Sequence, residues 1–133
     1  MKKNLKVGNR ASLSKAFTEE DVLQFANISA DTNPIHLDKN FAADSVFGQR
    51  VVHGMLIASL FSALVGVKLP GEGTIYLGQS LNFKAPVFID EQVTASVEIV
   101  KIREDKPIVT LRTLCINSEG RTVVDGEAVV KVT

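Results

Sequence analysis

The sequence is short of several things, and each shortage removes a class of function. It has a single cysteine, Cys115, so no disulfide can form within the chain and no cysteine-rich metal site exists. Leu114 and Ile116 flank it, which suits a buried and inert thiol. There is no charge of one sign to spare: 15 basic residues balance 15 acidic ones, whereas a nucleic-acid binder usually gathers a basic surplus on one face. Nor is there a long hydrophobic run. The longest, Met55 to Val67, is too short for a membrane span and carries two serines and a glycine. The start, Met1-Lys2-Lys3-Asn4-Leu5-Lys6, has the charge of a secretory leader without the apolar stretch that should follow it. Together these absences predict a soluble, cytoplasmic protein that binds neither nucleic acid nor membrane. No Gly-x-Ser-x-Gly elbow, phosphate-cradling loop or dinucleotide glycine pattern occurs. Two histidines with no cysteine near them argue against a zinc site, and no metal is expected.

What remains is one domain's worth of chain. The 133 residues contain 45% hydrophobic and 23% charged side chains, the balance of an ordinary globular fold, so residues 1–133 read as one domain. No repeat or linker interrupts them. Arg10 to Phe17 alternates enough for a first strand. Thr18-Glu19-Glu20-Asp21 reads as a helix start, with a capping threonine and three carboxylates at the positive end of the dipole. Val22, Phe25, Ala26 and Ser29 share one face of that helix, and Asn33-Pro34 should end the helical run. Asp38 suits the cap of a short second helix.

From Gly54 to Lys68 the pattern is a helix with no polar face, interrupted only by Ser59 and Ser62. Such a helix is a buried one. Beyond residue 72 the period changes to two: Ile75, Leu77, Leu81 and Phe83 alternate, as do Val93 to Ile99, Val109 to Cys115, and Val124 to Val132. Glu104-Asp105-Lys106-Pro107 and Ser118-Glu119-Gly120 suit hairpin turns. A long apolar helix followed by four or five antiparallel strands is the plan of an α+β hot-dog fold, a sheet wrapped around a buried helix. A half-wrapped helix and free sheet edges predict a homodimer.

Candidate chemistry is concentrated between residues 31 and 56. Asp31-Thr32-Asn33-Pro34-Ile35-His36-Leu37-Asp38 sets an acid and an imidazole five residues apart around a proline turn, which lets both side chains face one point. Asp31 could instead accept bonds from the turn backbone, and His36 could pack beside a core. Spacing alone favours those plainer roles. Val51-Val52-His53-Gly54-Met55 enters the apolar helix, where Gly54 lets a ligand approach free N–H groups; His53 reads as structural. Ser59 or Ser62 could present a hydroxyl, although helical serines more often bond back to their own helix.

The Asp31-to-Asp38 motif and the following His53-Gly54-Met55 resemble the MaoC-like hydratases, and more narrowly the short (R)-specific enoyl-CoA hydratases that supply polyhydroxyalkanoate synthesis. The likeness extends to Tyr76-Leu77-Gly78-Gln79-Ser80 and Phe83-Lys84-Ala85-Pro86-Val87 and covers nearly the whole chain. It implies that Asp31 and His36 are catalytic, that the Gly54 N–H meets the thioester oxygen, and that Ser62 lines the site. It also implies homodimers acting on coenzyme A thioesters without metal or redox cofactor. Leu64, Val65 and Val130 are candidates to close a short acyl pocket, and Lys84, Arg103 and Lys106 to meet coenzyme A phosphates. Two rival readings are an acyl-CoA thioesterase and a non-catalytic acyl-CoA-binding subunit. Thioesterases and acyl-carrier-protein dehydratases of this fold commonly carry a carboxylate in the central helix, and residues 54–67 contain none.

Overall fold

In the computed structural model, which describes residues 4–133, the elements run β1 (Arg10–Ala16), α1 (Glu19–Ser29), α2 (Pro34–Leu37), α3 (Lys39–Ala43), α4 (Gly54–Ala63), β2 (Ile75–Gln79), β3 (Asn82–Phe83), β4 (Gln92–Ile102), β5 (Ile108–Asn117) and β6 (Thr122–Lys131). Met1-Lys2-Lys3, the charged start, lies outside the described residues. No helix among them is long and apolar enough to cross a membrane.

The sheet is antiparallel, in the order β1-β4-β5-β6-β2, with β3 also paired to β6. Alternation decides its faces: Val93, Ala95, Val97 and Ile99 of β4, Val109, Leu111 and Cys115 of β5, and Ala128 and Val130 of β6 all point inward. Helix α4 crosses β4, β5 and β6, burying Ile57, Leu60 and Phe61 against them. A wider π-helical turn, Leu64–Lys68, continues it and buries Leu64 and Val65. This is the hot-dog architecture, a curved sheet around one helix.

Two expectations about burial need correction. The central helix is not buried on every side, because the sheet covers only one flank; Met55, Ser59, Ser62, Ala63 and Val67 are exposed. Nor does β2 bury alternate residues. It is an edge strand, and Ile75 and Leu77 are about half exposed, at 48% and 53%.

The helix boundaries follow local chemistry. Thr18 and Asp21 form a reciprocal capping box, the threonine hydroxyl accepting from the Asp21 N–H at 3.1 Å and the carboxylate from the Thr18 N–H at 3.0 Å. Helix α1 stops at Ser29, with Ala30 in the left-handed region at φ 66°. Pro34 therefore does not end a helix but begins one. Its missing N–H falls at the first helical position, where none is needed, while the Asn33 side chain accepts from the Ile35 N–H at 3.1 Å. Asp38 caps α3 through the Asn40 and Phe41 N–H groups.

Where β5 meets β6, the register slips between Cys115 and Ile116, so Val123 has no partner and both Val123 and Val124 turn inward. Nearby, Ser80 lies across β6. Its N–H donates to the Glu127 carbonyl, and its hydroxyl accepts from the Glu127 N–H, both at 2.9 Å. A Cβ on Gly126 would fall 1.9 Å from the Ser80 carbonyl oxygen, so glycine is required there by close backbone approach.

Candidate active site

The α1–α2 turn, the entry to α4 and the β6 bulge enclose a cavity of about 510 Å³. Asp31, His36, His53 and Gly54 line it together with Phe47, Met55, Phe83, Val123 and Val124. The wall is mostly apolar, with its polar groups gathered at one end, as is usual for small-molecule sites.

Asp31 serves the turn and the cavity at once. One carboxylate oxygen accepts from the Asn33 N–H at 3.3 Å, and the other lies 4.0 Å from His36 Nε2. His36 is buried, and its Nδ1 lies 2.7 Å from the Val51 carbonyl oxygen. A carbonyl only accepts, so Nδ1 carries a proton, and in the neutral ring it is Nε2 that presents a lone pair on the side of Asp31. The separation of 4.0 Å is too long for a direct hydrogen bond, yet one water at ordinary hydrogen-bond distance can touch both groups.

His53 stacks on His36 with ring centroids 3.7 Å apart and donates from Nε2 to the Asp31 backbone carbonyl at 3.0 Å. Burial holds it below the ordinary histidine range; the bond to Asp31 opposes that shift, and the neighbouring His36 adds to it. Asp31, His36 and His53 bring three potential metal-ligand atoms within 4.8 Å of one another. The rings, however, stack at 26°, and each already has one nitrogen paired with a backbone carbonyl, His36 Nδ1 with Val51 and His53 Nε2 with Asp31. That arrangement suits a stacked pair better than a chelate.

Gly54 opens α4, and the first N–H groups of a helix have no acceptor one turn back. A Cβ here would come within 2.7 Å of the Phe83 ring, so the glycine lets that ring close the cavity wall beside the free amide.

Of the sequence-derived site residues, Asp31, His36 and Gly54 meet at this cavity. Ser62 lies on the exposed flank of α4 and makes no bond back to its helix, whereas the Ser59 hydroxyl donates to the Leu56 carbonyl at 2.5 Å. Leu64, Val65 and Val130 are buried in the core between helix and sheet and add no surface to this cavity. Lys84 lines the cavity; Arg103 does not, being forked onto Asp105 in the β4–β5 turn at 2.9 and 2.6 Å, with Lys106 beside it. Cys115 is buried, and burial pushes its thiol up to about 12, so it is inert at neutral pH. Sequence reasoning missed Phe47, Phe83 and Val123. Only Phe83 left a signal, in the Phe83-Lys84-Ala85-Pro86 stretch.

The MaoC like domain model matches residues 3–118. The chain belongs to the MaoC-like family. Among its MaoC-like relatives, the (R)-specific enoyl-CoA hydratase of Aeromonas caviae is 56% identical over 129 residues, 97% of this chain and 96% of that protein. The (R)-specific enoyl-CoA hydratase of Rhodospirillum rubrum is 46% identical, covering 97% of this chain and 89% of that one. The solved structure described as the (R)-hydratase from A. caviae involved in PHA biosynthesis aligns with a TM-score of 0.96 at 55% identity, over 98% of each chain.

Proposed function

We propose that this chain is an (R)-specific enoyl-CoA hydratase that adds water to short trans-2-enoyl-CoA thioesters through Asp31 and His36. The observation that carries the reading is the placement of Asp31 Oδ2 and His36 Nε2, 4.0 Å apart at the polar end of an apolar cavity that also holds the Gly54 amide. The likeness to curated hydratases over almost the full chain supports it.

The chemistry follows from the geometry. In a trans-2-enoyl thioester the β-carbon is electrophilic because charge can flow to the carbonyl oxygen. The Gly54 N–H, at the start of α4, meets that developing enolate. A water donating to His36 Nε2 and to Asp31 turns a lone pair toward the β-carbon. The dyad takes one of its protons as the C–O bond forms, and one proton is delivered to the α-carbon on the same face. The products balance as hydroxyl on the β-carbon and hydrogen on the α-carbon. No electron is transferred overall, so the reaction calls for no redox cofactor. Acid–base assistance of this kind is worth roughly 10²–10⁴-fold.

The active unit in this reading is a cytoplasmic homodimer. The exposed flank of α4, with Met55 and Val67, and the unpaired edge of β2 offer the apolar surface that a second copy would cover. A thioesterase or a binding-only subunit is separated by one assay. Mixed with crotonyl-CoA, the protein should bleach the conjugated-enoyl absorbance and yield (R)-3-hydroxybutyryl-CoA. Free thiol without hydration would make it a thioesterase, and no turnover a binding subunit.

A further inference from the structure

His53 is a buried titratable group in the cavity that hydration chemistry leaves unused, yet it touches both members of the dyad. Its ring lies 3.7 Å from the His36 ring, centroid to centroid, at 26°. Its Nε2 donates to the Asp31 carbonyl at 3.0 Å. Through the 53–54 peptide it also carries the Gly54 N–H. Its far edge is set by Phe25 of α1, whose ring stands edge-on at 4.9 Å. The side chain is only 2% exposed, so its orientation is fixed by these contacts rather than by solvent.

We propose that His53 is a positioning residue that, as a neutral imidazole protonated on Nε2, fixes the separation between Asp31 and His36. The inference rests on the hydratase reading and adds to it a requirement for a third side chain. Asp31 sits in an exposed turn behind a left-handed Ala30, with its own backbone N–H held by the Ser29 hydroxyl at 3.1 Å. His36, on α2, is anchored separately through the Val51 carbonyl, and the Val51 N–H donates to the Ile35 carbonyl; the His53 bond is what ties the Asp31 carbonyl to the entry of α4. The tautomer is dictated by the acceptor: a carbonyl requires an N–H, so Nδ1 must carry the lone pair. That Nδ1 is buried and has no hydrogen-bond partner among the described residues, as fits a ring selected for what its other edge and its face do. The titratable groups facing it are His36 and Asp31; α1 contributes only Phe25. A proton added to Nδ1 would bury a positive charge against the face of the His36 ring in a site shielded from water.

The test separates the two contacts. His53→Phe keeps a flat ring for the stack and removes the donor; His53→Gln keeps an amide donor at the Nε2 position and removes the stack. With crotonyl-CoA, His53→Phe should lower kcat by about 10²-fold, the usual cost of an ångström of misplacement, while KM stays near that of the parent. His53→Gln should recover a large part of that loss. A purely structural role would instead lower the unfolding midpoint in both variants and leave kcat per folded molecule unchanged, overturning the proposal. A crystal structure of His53→Phe gives a second readout independent of turnover. A dyad still 4.0 Å apart would overturn the inference even if the parent protein proved not to hydrate crotonyl-CoA, and a widened dyad would sustain it. If neither variant folds, imidazole ¹⁵N spectra of the parent decide: a proton on Nδ1 rather than Nε2 of His53 at neutral pH would sink the proposal, and a proton on Nε2 would support it.

Discussion

Between Gln92 and Lys131 the strands β4, β5 and β6 each have a neighbour on either side, and their inward side chains are fixed many times over, by one another and by α4 across the inner face. Between Asp31 and Gly54 each is fixed by a few named contacts: Asp31 by the Asn33 N–H, His36 by the Val51 carbonyl, His53 by the Asp31 carbonyl and two rings. The sheet buys its order with repetition, so an error at one surface position is absorbed. The turn region has no repetition, and its order rests on groups that also face the cavity. Substitutions in the turn should therefore damage activity more than stability, and in the sheet the reverse.

The largest separation is expected at the dyad. Asp31→Asn and His36→Gln should each lower kcat/KM for crotonyl-CoA by roughly 10²–10⁴-fold while the urea midpoint barely moves. A near-parental rate in either variant would take that residue out of the mechanism. A large drop in the midpoint would instead break the contrast between the two regions.

The counterpart in the sheet is Gly126→Ala. Its Cβ would sit 1.9 Å from a backbone oxygen that cannot swing aside, so β6 and the Ser80 crossing must part. A loss of about 3 kcal/mol or more is expected, read from chemical denaturation. Gly54→Ala makes the sharper comparison. Its Cβ meets the outer edge of a half-exposed Phe83 ring that can rotate, so the stability cost should be only about 1 kcal/mol. The displaced ring then stands beside the Gly54 amide, and kcat should fall with little unfolding. Equal stability losses in the two variants would deny that these glycines serve different ends.

How far these regions were legible in the sequence follows the same division. The faces of β4, β5 and β6 could be read from Val93 to Ile99 and from Val109 to Cys115, because a strand flanked on both sides obeys its alternation. The pattern misled at β2, where Ile75 and Leu77 alternate correctly but the edge strand has nothing to cover them in one chain. It misled again at Ser62 and Val67, since apolar periodicity does not say which flank of a helix the sheet will leave bare. In the turn no period exists. Asp31 and His36 were found through their motif, whereas the stacking of His53 on His36 joins residues 17 positions apart and leaves no trace in spacing. Val123 was invisible for another reason: a bulge shifts the alternation by one residue, and only the paired strand reveals it.

Acidity probes the two regions through different groups. His53 is held below its ordinary value of 6.5, so the unfolded chain binds that proton more readily than the folded one. Its contribution is present in full above about pH 6.5 and is lost as pH falls toward the depressed folded value. The loss cannot exceed about 1.4 kcal/mol per pH unit for one proton. Glu19, beside Arg50, and Asp21, in the capping box, are also lowered, but from 4.5 and 3.8, so they act only in stronger acid. Stability of the parent should therefore begin to fall just below neutrality, and that first decline should vanish in His53→Gln. A decline that persists in the variant would assign it to another group.

The smallest effect should come from Ala30. At φ 66° it occupies a conformation that costs a residue with a Cβ roughly 1–2 kcal/mol and glycine almost nothing. Ala30→Gly should raise stability by about 0.5–1 kcal/mol, the relief being partly offset by the greater freedom of glycine in the unfolded chain. Because the residue precedes Asp31, the same variant asks whether the strained turn is itself part of the site. The Ser29 hydroxyl and the Asn33 N–H still hold Asp31 from either side, and His53 still holds its carbonyl. On that account kcat should not change. A more stable protein with a lower kcat would mean that the stiffness of Ala30 helps to aim the carboxylate, and that the turn has given up stability for placement where the sheet has not.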